Sequence, residues 1–263
     1  MKIDVGFNAG SLDELQLRDK NVIVVDVLRS STTITTALYN GAREIIPVAS
    51  IESAVKISGS LFGEVTLRGG ERNGKTIEGF NLGNSPREYS DATVRGKSII
   101  FCSTNGSVTL HKSRYARNLA VGSFVNLSAV VEFIRLLKQD ILFLCAGKSN
   151  GITNFSLEDV VCVGMILTQM KNATLPDLEL SDAAQASVAM HKTFGRSILK
   201  MMKNSEHGRY LTEIGFGDDL KICADVDSIP VLPTQQGTVI RLKREAVHSI
   251  ELDVAPTTKN ALT

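Results

Sequence analysis

Asn21-Val-Ile-Val-Val-Asp-Val-Leu-Arg-Ser-Ser-Thr-Thr33 runs from four consecutive β-branched residues, through one carboxylate, into a hydroxyl-rich turn. A continuous apolar run of this kind fits a strand buried on both faces. Residues 34–40, closed by Gly41, read as helix, so the stretch is strand, polar loop and helix in succession. The plan recurs at Lys97-Ser-Ile-Ile-Phe-Cys102, followed by Ser103-Thr-Asn-Gly-Ser107 and a run toward Arg117. It recurs again at Asp140-Ile-Leu-Phe-Leu-Cys145, followed by Ala-Gly-Lys-Ser-Asn-Gly151 and a helix from Ser156, where Ser156-Leu-Glu-Asp159 spells a capping box. Such repetition implies an α/β layer architecture, in which ligands gather beyond the carboxyl ends of the strands. Further strands are expected at 44–48, 119–121, 228–232 and 238–244, and helices between 178 and 213. No stretch has the composition of a linker, so one domain over residues 1–253 with a loose tail at 254–263 is expected.

Leu67-Arg-Gly-Gly-Glu-Arg-Asn-Gly-Lys-Thr-Ile-Glu-Gly-Phe-Asn-Leu-Gly-Asn-Ser-Pro-Arg-Glu-Tyr-Ser90 has almost no helix or strand pattern and reads as one long functional loop. Its glycines, asparagines and arginines suit amides and guanidinium groups converging on an anion. Within it, Gly69-x-x-x-x-Gly74-Lys75-Thr76 matches the phosphate-loop pattern of nucleotide-binding proteins. A true phosphate loop feeds directly into a helix whose N-terminal amides hold the phosphates. Here Ile-Glu-Gly-Phe-Asn-Leu-Gly-Asn-Ser-Pro follows Thr76, and glycine and proline exclude a helix. Glu71 also repels a bare phosphate, which weighs further against the nucleotide reading.

Composition narrows the field. The 263 residues carry a formal net charge of +1, so no global field recruits nucleic acid or an acidic membrane, and an anionic ligand must be held by local charge. The longest apolar run is far short of a membrane span, and Asp4 interrupts the start where a secretory core would lie. Cys102, Cys145, Cys162 and Cys223 lack C-x-x-C spacing and fit the reduced thiols of a cytoplasmic protein. Neither Cys102 nor Cys145 has Arg six positions on, and Asp26 has no Asp two positions on, so neither the cysteine nor the aspartyl-phosphate type of phosphatase is spelled out. The four histidines show no metal spacing, and His207 reads as a surface residue.

What survives is a set of acids and cations on loops. Asp26 interrupts an apolar strand, and two readings stay open: an ion pair with Arg29, or a bound metal. Ser30, Ser31, Thr32 and Thr33 offer hydroxyls and helix-start amides beside it. Thr104-Asn105-Gly106 reads as a tight turn, and Glu158 and Asp159 fall in a first helical turn. Their gathering on one sheet edge, with the Arg-rich loop, points to a site for a polyanion and a metal.

These residues fall into a familiar arrangement. Val25-Asp-Val-Leu-Arg-Ser-Ser-Thr-Thr33, Gly70-Glu-Arg-Asn-Gly74, Gly79-Phe-Asn-Leu-Gly-Asn-Ser-Pro86, Ser103-Thr-Asn-Gly106 and Leu144-Cys-Ala-Gly147 with Phe155-Ser-Leu-Glu-Asp159 resemble the 2-phosphosulfolactate phosphatase family. Ser181-Asp-Ala-Ala184, Ser205-Glu-His-Gly-Arg209, Asp219 and Val231-Leu-Pro233 are similar too, so the likeness runs in order from about Asp4 to Pro233. Ser30 stands where the family commonly has Ala. The resemblance implies a three-layer α/β/α fold with a mixed, mostly parallel sheet. It also implies a magnesium-dependent phosphatase that converts 2-phosphosulfolactate to 3-sulfolactate, a step toward coenzyme M. On that basis Asp26 and one or more of Glu71, Glu158 and Asp159 hold Mg2+, while Arg29 and the amides of Ser30 to Thr33 grip phosphate and Asn105 and Arg72 orient the rest. Ser30, Ser31, Thr32, Arg72, Asn73, Asn84, Thr104, Gly106 and Lys148 form the expected substrate-binding set. The implied partner is a small anionic phosphoester carrying about three to four negative charges, with no nucleic acid and no membrane, and a homodimer is allowed but not required. The rival readings are a phosphatase of another small anionic phosphoester, a nucleotide-binding protein using 69–76, and a non-catalytic binder of sulfonates or phosphates.

Overall fold

A computed structural model of the chain describes residues 1–60, 65–148, 155–172 and 178–242. The described strands are β1 (Lys2–Gly6), β2 (Asn21–Val25), β3 (Glu44–Pro47), β4 (Thr66–Arg72), β5 (Lys75–Thr76), β6 (Ser98–Cys102), β7 (Asn118–Gly122), β8 (Ile141–Cys145), β9 (Glu179–Leu180), β10 (Pro233–Gln236) and β11 (Val239–Leu242). The α-helices are α1 (Glu14–Leu17), α2 (Ser30–Tyr39), α3 (Ile51–Ser60), α4 (Asp91–Val94), α5 (Gly106–Lys112), α6 (Leu127–Leu137), α7 (Leu157–Asn172), α8 (Asp182–Phe194), α9 (Ile198–Asn204), α10 (Glu206–Glu213) and α11 (Asp219–Cys223).

All the strands join one mixed sheet in the order β5-β4-β6-β3-β11-β10-β7-β2-β8-β1-β9. Two parallel blocks, β4-β6-β3 and β7-β2-β8-β1-β9, are bridged by the antiparallel hairpin β10–β11. Arg241 on β11 reaches the Glu44 carboxylate on β3 and ties the hairpin to its neighbour. Helices cover both faces, giving the three-layer α/β/α fold.

The continuous apolar strands follow from that layering. Val22 and Val24 of β2 join one core cluster with Ile34 and Leu38 of α2, while Ile23 and Val25 join the other with the helices α6 and α7. Alternate residues of β8 divide in the same way, Leu142 and Leu144 to one side, Phe143 and Cys145 to the other. With both faces buried, neither strand has room for a polar alternation.

Two strand expectations need correction. Residues 228–232 form no strand, because Pro230 lacks an amide, Ile229 donates to the Val125 carbonyl and Val231 to that of Ile229; pairing starts only at Pro233. Residues 67–90 are not one long loop. Their first part is β4, parallel to β6, and it turns back into β5 through Asn73 (φ 51°) and Gly74 (φ +72°). Gly70 adopts φ +142°, and a Cβ there would collide with the Cys102 carbonyl oxygen; at Gly69 a Cβ would strike the buried Tyr89 hydroxyl. Only glycine lets β4 lie this close to its neighbours. The sequence 69–76 therefore forms strand, turn and strand, with no helix after Thr76 to cradle a nucleotide phosphate. The expected tail at 254–263 and part of the loop after β8 lie outside the described residues.

Candidate active site

The residues after β2, β6 and β8 and the end of β4 converge at one place, where Asp26, Glu71, Thr104 and Lys148 meet, although three antiparallel pairings make the β4-β6-β3 block run opposite to β7-β2-β8-β1-β9. They line a cleft of about 430 Å³ whose outer wall is α10, with His207, Arg209 and Tyr210.

Acids make the floor. Asp26 is 7 % exposed. Burial pushes its carboxyl from 3.8 up to about 6; a hydrogen bond with Ser30 and the charge of His207 oppose that rise, while Glu71 and Glu158 reinforce it. Asp159 is pushed well above the carboxylate range by burial and by the charges of Asp26 and Glu158, although it accepts the Val27 amide at 2.8 Å. Glu158 goes the other way. Its burial would raise it, but hydrogen bonding and charge from His207 and a hydrogen bond from Ser156 outweigh that and hold it low. Glu71 accepts the Thr104 amide at 2.7 Å and the Gly74 amide at 2.8 Å, one on each oxygen. The capping-box reading of Ser156 and Asp159 thus gives way to other partners: Ser156 donates to Glu158 and Asp159 binds the β2–α2 loop.

Among the described residues, three buried polar atoms at this site have no hydrogen-bond partner: Asn84 Oδ1, Thr104 Oγ1 and Glu158 Oε2. Unpartnered buried oxygens are costly unless a ligand completes them. The lining holds Arg29, Lys148 and Arg209 against Asp26, Glu71, Glu206 and Glu213, so it is not cationic by itself.

Of the two readings left open for Asp26, the ion pair with Arg29 is not formed. Arg29 instead bonds Asp219 at 2.9 Å and the Gly74 carbonyl at 2.6 Å, both deep in the protein. Residues 9–238 match the family model described as 2-phosphosulpholactate phosphatase.

The chain belongs to the 2-phosphosulpholactate phosphatase family.

It is 37% identical over 235 residues to a probable 2-phosphosulfolactate phosphatase of Caldanaerobacter subterraneus subsp. tengcongensis, covering 89% of this chain and 95% of that one. Its identity to the probable 2-phosphosulfolactate phosphatase of Carboxydothermus hydrogenoformans is 39% over 243 residues, 91% and 97% of the two chains. The Thermotoga maritima protein of that name is 38% identical over 224 residues, 85% and 92% of the two.

In this member of the 2-phosphosulpholactate phosphatase family, Asp26, Arg29, Ser30, Glu71, Asn73, Asn84, Thr104, Asn105 and Lys148 all line the cleft. Gly106 packs directly behind Asp26 and Ser30, where a Cβ would strike both. Glu158 and Asp159 stand behind the floor. Three residues expected to bind substrate have other work. Ser31 Oγ accepts the Asp26 amide, Thr32 Oγ1 donates to the Val27 carbonyl, and the Arg72 guanidinium binds the Glu71 carbonyl and Cys102 Sγ. The Ser31 and Thr33 amides are bonded to the carbonyls of Asp26 and Arg29, so they are not free to grip phosphate. His207, expected on the surface, sits in the cleft 3.5 Å from Glu158. Glu206 and Arg209 enter the sequence reading only as part of the Ser205–Arg209 motif, with no role in the site, and Tyr210 does not enter it; the helix was legible, its place against the sheet edge was not. The four cysteines are buried and free, and burial pushes every thiol up, Cys223 to about 12. None is poised as a nucleophile.

Proposed function

We propose that this chain is a magnesium-dependent phosphatase that hydrolyses 2-phosphosulfolactate to 3-sulfolactate and phosphate, a reaction of the coenzyme M type, in the cytoplasm. The observation that carries the reading is the buried acid floor, with its unpartnered Glu158 oxygen, beneath a cleft that also presents Arg29, Lys148 and Arg209. The names of the relatives supply the substrate.

The charge balance of the cleft argues for a cation. Four lining carboxylates outnumber three lining cations, yet the substrate brings about three to four negative charges of its own. Among the described residues no three His, Cys, Asp or Glu side chains close into a full metal cage. Magnesium does not need one; it usually takes one or two carboxylates and completes its shell with water and phosphate. Asp26 and Glu158 are the residues that would hold it, since both oxygens of Glu71 and one of Asp159 already accept amides. Bound there, the ion would offset charge on a phosphoryl oxygen. Arg29 holds the phosphate and Thr104 donates its unpartnered hydroxyl to it, while Asn84 Oδ1, an acceptor, suits a water or a hydroxyl of the substrate. Attack on phosphorus comes from the floor, where a carboxylate takes the proton of water or an enzyme group acts first. Lys148 and Arg209 face the remote acid groups of the substrate.

Phosphate release from 2-phosphosulfolactate tests this reading. Turnover is expected with magnesium and none with excess EDTA, and Asp26→Asn should lose at least ~10³-fold in kcat. Near-normal turnover by that variant would sink the assignment. Faster turnover of a different small phosphoester would transfer the reading to that substrate. No helix extends from 69–76, and no appreciable ATP binding is expected by calorimetry.

A further inference from the structure

Arg29 is only 2 % exposed, and two segments distant in sequence, at 74 and at 216–219, close around its guanidinium. Asp219 Oδ2 accepts from Nη1 at 2.9 Å, the Gly74 carbonyl accepts from Nη2 at 2.6 Å, and the Phe216 ring lies 4.3 Å from the guanidinium carbon. The second oxygen of Asp219 accepts from Ser85 Oγ at 2.7 Å. Asp219 is itself 1 % exposed and does not line the cleft; Arg29 does. Of the five guanidinium N–H groups, the bonds to Asp219 and Gly74 use two, which leaves the others for the cleft.

We propose that Asp219 is a positioning residue for phosphoryl transfer, acting through Arg29. The proposal rests on the phosphatase reading. A planar guanidinium with one face and two edges fixed can offer its remaining donors in only one geometry. Asp219 also partly cancels the Arg29 charge. It therefore weakens simple attraction for an anion while improving alignment, and alignment matters most in the transition state. A partner present only to neutralise a buried cation would affect folding stability and leave the kinetics of the folded enzyme alone.

The test is a double-mutant cycle on the full chain with Asp219→Asn and Arg29→Lys. Asp219→Asn should lower kcat by ~10²-fold, while inhibition by inorganic phosphate stays as strong or grows stronger. In the Arg29→Lys background, Asp219→Asn should cost nothing further. Losses that multiply, or an unchanged kcat beside a lowered Tm, overturn the proposal. Ser85→Ala covers the case in which Asp219→Asn does not fold. It frees only Oδ1 and should lower kcat a few-fold, an effect absent in the Arg29→Lys background; an unchanged kcat again overturns the proposal. If the wild-type chain releases no phosphate, the phosphatase reading fails, and the same cycle read by calorimetric binding of inorganic phosphate decides the positioning role. Non-additive binding supports it, and additive binding or none overturns it.

Discussion

Asp26 and Glu71 at the floor of the cleft, and Glu158 and Asp159 behind it, are each less than a tenth exposed, whereas the Glu206 side chain on its rim stands 75 % in water and the Lys148 side chain it pairs with 19 %. The floor is organised by burial and by backbone amides that accept no substitute. The rim is organised by long side chains whose pairing is screened and loosely held. Two kinds of electrostatics thus share one cleft: on the proposed reading, buried acids set where chemistry happens and exposed charges meet the far end of the substrate. Perturbing the floor should change rate, and perturbing the rim should change recognition.

After the loss expected of Asp26→Asn, the largest effect comes from the floor without touching a charge. Gly106 begins α5 and presses its Cα against the Asp26 carboxylate and the Ser30 side chain. Gly106→Ala adds a methyl group that only a shift of Asp26 or of the α5 start can accommodate. Turnover should fall ~10²-fold, as misplacement of a reacting group by about 1 Å commonly costs, while circular dichroism reports a folded chain. A variant with wild-type kcat would show that the floor is more pliable than its burial implies.

How much of this contrast could be read from the sequence follows the same division. The strands β2, β6 and β8 announced themselves because both faces are buried, and the residues after them bring Asp26, Thr104, Asn105 and Lys148 into one cleft, although β6 runs opposite to β2 and β8. The strand β4 hid behind its glycines, which serve close approach to Cys102 and Tyr89 rather than loop flexibility. Its Asn73-Gly74 turn is a strong hairpin signal, masked by the phosphate-loop spelling around it. The rim was out of reach. Nothing local tells α10 to stand over β2, and the pairing of Arg29 with Asp219 spans 190 residues.

The next effect is thermodynamic and belongs to the metal-free protein. Asp26 has its carboxyl pushed from 3.8 to about 6, with Glu71 of β4, Glu158 and Asp159 of α7 and His207 of α10 as its charged neighbours. The native state therefore holds the Asp26 proton to higher pH than the unfolded chain does. That contribution is fully present below about pH 4 and is lost as pH rises through about 6, a change of roughly 3 kcal/mol for two units. Asp26→Asn removes it. In EDTA, the Tm of the variant should gain several degrees on wild type between pH 5 and pH 7, and magnesium should shrink that gap by stabilising only the wild type. A gap that stays constant with pH would place the Asp26 proton elsewhere.

The smallest effect belongs to the rim. Lys148 Nζ bonds Glu206 at 2.7 Å, so a carboxylate of the protein occupies the cation that a remote acid of the substrate would need. The bond and charge of Lys148 hold the Glu206 carboxyl low, so the competition persists across the neutral range. Glu206→Gln should leave kcat unchanged and lower KM for 2-phosphosulfolactate by at most about fivefold, the scale of an exposed pair. An aryl phosphate without a second acid should show no change, and the gain should fade at high salt because exposed charges are screened. A raised KM would mean that Glu206 holds Lys148 in place for the substrate instead of competing with it, and the rim would then share the rigidity of the floor.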